Sequence, residues 1–288
     1  MARGDEWSLA GQVAVFATMH GKERVIAPLL EGSLGLSVRV PPRFDTDRFG
    51  TFSREIARSG SQLDAARAKI EAVFEVDPQA RIGLSSEGGF GPYPYIPIAP
   101  LARELVVLID RETGLELVGH HAALSTNFAH RVVTDVAGAL EFAGKVGFPA
   151  HGLMVIGCRD GEPAPDLFLD KTIVTEADLR QAVEDNVART GKAFIETDMR
   201  AHRNPTRMRA IRRATVNLIR RYRSLCPACD HPGFWVTERP LGLPCSWCGG
   251  PTNAVRADIL SCESCGHRVE RAVAATTADP GLCNDCNP

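Results

Sequence analysis

Residues 12–40 read QVAVFATMHGKERVIAPLLEGSLGLSVRV, and the order of their periodicities decides the fold class. QVAVFAT (12–18) is a short apolar run ending in a turn, the pattern of a buried strand. KERVIAPLLEGS follows with helical spacing, and Gly32 and Gly35 end it. LSVRV (36–40) is a second strand, stopped by Pro41 and Pro42. Strand, helix and strand in succession open an α/β unit.

The alternation continues outward. A charged loop with Asp45 and Asp47 leads to QLDAARAKIEAVF (62–74), an amphipathic helix. RIGLSS (81–86) is a strand that runs into EGGFGPYPYIPIAP, read as a long Gly/Pro loop. ELVVLID (104–110) and LELVGHH (115–121) flank a Thr-Gly turn as a hairpin, with one of His120 and His121 expected in the core. VVTDVAGALEFAGKVG is helical, GLMVIGC (152–158) is a strand ending on an apolar Cys158, and Thr175 caps TEADLRQAVEDNVART with Asp178 three residues on. AFIET is a short strand. Asn204 and Pro205 are the cap and first position of a last long helix. Its apolar stripe starts at Met208 and leaves Arg207 at the surface or a site rim. The expected fold is an α/β domain, 1–223, with a mixed sheet flanked by helices.

From residue 224 to 288 the helical pattern vanishes and Cys, Pro and Gly dominate. Eight of nine cysteines form four Cys-x-x-Cys pairs: Cys226/Cys229, Cys245/Cys248, Cys262/Cys265 and Cys283/Cys286. A two-residue gap lets one knuckle aim both thiolates at one ion, and two knuckles complete a tetrahedral four-sulfur site. The pattern predicts a small zinc-ribbon module with two structural Zn²⁺ ions and no open coordination position. The gaps of 15 and 17 residues favour sequential pairing of neighbouring knuckles, with interleaved pairing as the alternative.

With 24% charged residues and a net charge of −2, the chain is not a nucleic-acid binder by bulk charge. MARGDEWSLA lacks the apolar run of a signal peptide, and no window reaches the ~20 apolar residues of a membrane span. No membrane partner and a cytoplasmic location are expected.

Three loops carry chemistry. Thr18-Met-His-Gly-Lys22 joins the first strand to its helix, where free N–H groups and the helix dipole favour phosphate. Ser85-Ser-Glu87-Gly-Gly89 brings a carboxylate beside two glycines, able to reach a metal such as Mg²⁺. AFIETDMRAHRNPTRM (193–208) gathers Glu196, Asp198, Arg200, His202 and Arg203 before a helix start: acids for Mg²⁺, cations for an anion, or a salt-bridge network. The catalytic candidates are Glu87, Glu196 and Asp198. The phosphate-binding candidates are Thr18, Lys22, Arg200, His202 and Arg203. From Arg200 to Arg223 there are nine arginines and no acid, which makes nucleic-acid binding the rival reading and a zinc-stabilised scaffold the third.

ATMHGKE, DTDRFGTFSREI, SSEGGFGP, ETDMRAHRNPTRM and the Cys-Pro-x-Cys…GLPCxxCGxPT pattern together resemble an uncharacterised bacterial family described only as a domain of unknown function. The α/β part is also similar to purine nucleoside triphosphate pyrophosphatases of the inosine/xanthosine triphosphatase superfamily. The similar segments are Thr18–Lys22, Ala65–Lys69, the Ser86-Glu87-Gly88-Gly89 turn and Ala201-His202-Arg203. That resemblance implies a Mg²⁺-dependent hydrolase of a nucleotide or related phosphate. Lys22 would hold phosphate, Glu87 the metal, and His202 and Arg203 a base.

Overall fold

The computed structural model describes residues 6–46, 60–93, 96–124 and 126–287, except for the side chains of 92–99. Asp47 and the stretch through residue 59 lie outside the described residues; Asp45 is exposed. Two compact units emerge, Leu9–Leu218 and Met1–Ser8 with Ile219–Pro288. Among the described residues no helix is long and apolar enough to cross a membrane.

The first unit begins β1 (Val13–Ala17), α1 (Glu23–Leu34), β2 (Ser37–Arg39), α2 (Gln62–Val76), β3 (Ile82–Tyr93), β4 (Ile96–Asp110) and β5 (Leu115–Ala123). These strands form one mixed sheet in the order β2-β1-β3-β4-β5, parallel across β2-β1-β3 and antiparallel beyond. Because β2 and β3 lie on opposite sides of β1, right-handed crossovers place α1 and α2 on opposite faces. The gap between the carboxyl ends of β1 and β3 is thus a topological switch point, where open α/β sheets bind ligands.

Side-chain alternation along β3 shows what each face meets. Ser85 donates to the Ala66 carbonyl of α2 at 2.9 Å, and Glu87 contacts Lys69 of the same helix. Ser86 and Gly88 face the other way. The stretch from Glu87 to Tyr93 continues β3 and is not the Gly/Pro loop expected. Its glycines serve close approach. A Cβ at Gly88 would stand 2.5 Å from Arg207 Nη2 and 2.7 Å from Glu104 Oε1. Gly35, at φ +64°, alone stops α1, while Gly32 lies inside it.

A second sheet follows. It contains β6 (His130–Val133), β7 (Leu153–Arg159), β8 (Glu162–Pro163), β9 (Leu169–Asp170) and β10 (Ala193–Thr197). Its path is β6-β10-β7-β8, with β9 also on β7, so the unit holds two sheets instead of one. Helices α3 (Val136–Val146) and α4 (Glu176–Thr190) pack Phe142, Leu179 and Val183 against Val155 and Ile195. Thr175 caps α4 in a reciprocal box with Asp178. Cys158 is buried with Met154, Ile156 and Phe194.

Helix α5 (Pro205–Arg223) lies over the β4–β5 hairpin. A Cβ at Gly119 of β5 would stand 2.3 Å from the Ala214 carbonyl and 2.6 Å from Leu218 Cβ. Gly119→Ala must therefore push backbone, and the expected loss is ~1–3 kcal/mol, read from the urea midpoint. Neither histidine of β5 is in the core: His120 is exposed and His121 half-buried.

In the second unit β11 (Trp235–Glu238), β12 (Ala257–Ser261) and β13 (Arg268–Ala272) form an antiparallel sheet. Its core is small: Cys226, Phe234, Leu260 and Cys262.

Candidate functional site

Two cysteine quartets form, and their pairing is interleaved. Cys226, Cys229, Cys262 and Cys265 make one group; Cys245, Cys248, Cys283 and Cys286 make the other. The expectation of sequential ribbons is corrected by the sheet. Cys262–Cys265 turns β12 into β13, beside the knuckle that precedes β11, and Cys245–Cys248 is carried into the β11–β12 connection. Sγ–Sγ separations of 3.7 and 3.6 Å in the first group, and 3.9 and 3.7 Å in the second, match the ~3.8 Å edge of a tetrahedron with metal–sulfur bonds of about 2.3 Å. Each quartet can hold a metal ion, and its sulfur spacing is compatible with structural zinc.

The other polar cluster lies at the β1/β3 switch point. The last β1–β3 pair is Ala17 with Ser85, so β3 runs on from Ser86 without β1 beside it. Lys22 fills the gap: its buried Nζ donates to the Ser86 carbonyl at 2.6 Å. Burial, then Arg207, lowers the Lys22 pKa to about 7, with Glu87 and Glu104 opposing the shift. Thr18 Oγ1 and Ser86 Oγ are both buried without a hydrogen-bond partner.

Two buried ion pairs flank this lysine. Lys69 contacts Glu87 on the α2 face, and Arg207 Nε meets Glu104 Oε1 at 2.6 Å on the α5 face. Arg207 is 2% exposed, correcting its expected surface place. Asn204 caps α5 through Arg207 N at 2.9 Å, and this turn aims Arg207 at the sheet, where it also donates to the Met199 carbonyl. Lys69, Glu104 and Arg207 were absent from the expected site. Glu104 sits at the head of an apolar strand, a polar residue where the pattern wants none, and was the signal available.

The remaining candidates form a neighbouring group. Asp198 accepts Arg200 Nε at 3.1 Å and Nη2 at 2.7 Å, and Arg203 donates to the Ile173 carbonyl. His202 stacks on His20 of the βα loop at 5.2 Å, which joins the two groups. Burial, then Lys22, lowers the His20 pKa to about 3; burial, then Arg200, lowers that of His202. Both imidazoles are neutral at pH 7. Glu196 is buried on β10, on the face of Phe194. Among the described residues, Glu87, Glu196 and Asp198 do not converge as one metal-binding group.

A family model described as "Domain of unknown function (DUF6671)" matches residues 72–288. The chain belongs to this family. The DUF6671 match covers Glu87, Glu104, the 196–207 segment and all eight paired cysteines, and begins after the Thr18–Lys22 loop. No curated protein matches the DUF6671 chain. Among solved structures, protein VC0702 from Vibrio cholerae is similar over 47% of this chain and 67% of its own, at 9% identity and a TM-score of 0.27.

Proposed function

We propose that the first unit hydrolyses a nucleotide or related phosphate compound, and that two zinc ions hold the second unit together. The observation that carries the hydrolase reading is the Lys22–Ser86 bond. It seats a βα loop at the switch point beside Glu87, between two buried hydroxyls that lack partners. Phosphate oxygens would supply what these groups lack: acceptors for Thr18 Oγ1, Ser86 Oγ and Lys22 Nζ. Glu87, held by Lys69, is the proposed base for the attacking water, and Lys22 stabilises charge growing on the phosphate. Mg²⁺ is commonly held by one or two carboxylates plus substrate phosphates. Glu87 is the carboxylate at the switch point proposed for that role. When bound, the ion would neutralise phosphate charge. Asp198, taken up by Arg200, positions the mouth of the site.

Arg200, Arg203 and Arg207 are turned to internal acceptors and Arg221 lies 5.5 Å from the Trp235 ring, whereas Arg209, Arg212, Arg213, Arg220 and Arg223 are exposed and leave a basic face for the rival nucleic-acid reading.

Nucleoside triphosphates, offered singly with Mg²⁺, test the reading by diphosphate release. Lys22→Ala is expected to lower turnover at least ~100-fold without loss of helix signal. No release from any of them would sink the proposal. The pH dependence has a definite sign. Lys22 is charged below its folded pKa of about 7, so pyrophosphate affinity should fall as pH rises through 7, seen by calorimetry. Stability moves oppositely: between about 7 and the ordinary 10.5 the unfolded chain holds the extra proton, so Lys22's unfavourable contribution fades as pH rises.

A further inference from the structure

A cavity of about 260 Å³ lies against α5, bounded by Phe90, Glu104, His121, Asn127, Arg209 and Arg213. Two of these side chains carry buried polar atoms of opposite kind that no hydrogen bond satisfies: Glu104 Oε2, an acceptor, and Asn127 Nδ2, a donor. Buried polar groups are normally paired, and two orphans around one cavity point to a ligand.

The Asn127 assignment follows from its neighbours. Asn204 Oδ1 accepts from Arg207 N, so its Nδ2 must be the atom facing Asn127, and it donates to Asn127 Oδ1 at 3.0 Å. Asn127 Nδ2 is thereby the end left over. Likewise Arg207 occupies Glu104 Oε1 and leaves Oε2. The helix cap thus orients both ends of the recognition pair.

The charge around the cavity narrows the ligand. Arg207, Arg209 and Arg213 all line it, and the last two are like charges at i and i+4. A cationic ligand is excluded, so the donor offered to Glu104 is a neutral N–H. Phe90 supplies a flat apolar wall, stacked on Phe128 with centroids 6.2 Å apart.

We propose that this cavity binds a planar ring bearing an amide edge, its C=O accepting from Asn127 Nδ2 and its N–H donating to Glu104 Oε2. The inference rests on the hydrolase reading for its setting. Glu104 and Arg207 line this cavity and also act on Lys22, so the ring would belong to the molecule whose phosphates Lys22 holds.

Uridine and N3-methyluridine 5′-monophosphates provide the test, because uracil offers N–H beside C=O and the N-methylated ring does not. Calorimetry should show uridine monophosphate binding at least ~10-fold tighter. Asn127→Asp keeps the acceptor for Asn204 and puts a carboxylate oxygen in place of the donor. It should erase that preference while leaving inorganic pyrophosphate affinity unchanged. Equal binding of the two nucleotides, or an unchanged preference in N127D, would overturn the cavity assignment. Pyrophosphate binding with equal nucleotide affinities would leave the phosphate site standing; binding of neither probe would remove both.

Discussion

Cys262→Ser is expected to release both metal ions from the chain, not one, and to unfold the cysteine-rich unit. The cluster at the unit's sheet has four buried residues, two of them cysteines of the first quartet. Apolar burial on that scale cannot offset the entropy of ordering some seventy residues, at about 1–2 kcal/mol each. Structural zinc in such sites supplies on the order of 10 kcal/mol each at neutral pH, so the proposed ions would hold the fold. Cys262 is also the hinge between β12 and β13. Losing its site frees the end of the sheet, and both knuckles of the other quartet are attached to that sheet. Atomic emission should find two zinc ions per wild-type chain and almost none in C262S. Loss of the sheet signal in far-ultraviolet dichroism should accompany it. Retention of one ion on an ordered sheet would show the sites to be independent.

The second large effect concerns Arg207 and Glu104, each 1% exposed at the side chain. Arg207→Met leaves a carboxylate buried without its cation, and removing one member of such a pair costs about 3–5 kcal/mol. Against a total of about 5–15 kcal/mol for a typical domain, that is a large share. The double variant Arg207→Met, Glu104→Leu removes both charges and should recover most of the loss, because a desolvated pair is often no better than apolar packing of similar volume. Urea unfolding of both variants checks this. A loss below about 1 kcal/mol in R207M would mean that water or other groups replace the arginine.

Much of the fold was legible because local rules decide it. Val13–Ala17 followed by helical spacing gave β1 and α1, the apolar spacing of 62–74 gave α2, Thr175 announced α4, and Asn204-Pro205 announced α5. Glu87–Tyr93 misled because Gly and Pro were weighed as chain breakers. In the fold, Gly88 is small so that Arg207 and Glu104 can approach the strand. The Arg207–Glu104 pair spans 103 residues, and no local pattern records it. Cys-x-x-Cys spacing names ligands equally well under either pairing, so the knuckle partners appear only once β12 and β13 are placed. The candidate site was half visible: Thr18, Lys22 and Glu87 lay in loaded loops, whereas Lys69 reads as an ordinary helix surface lysine.

The interleaving also fixes an order of events during synthesis. The first quartet cannot close until Cys265 has left the ribosome, and by then Cys245 and Cys248 are already waiting unpaired. For the stretch from Cys245 to Cys283 the nascent chain carries exposed thiols that a sequential arrangement would have retired earlier. Metal capture by the first quartet would therefore wait for the third knuckle, where sequential pairing would let it begin with the second.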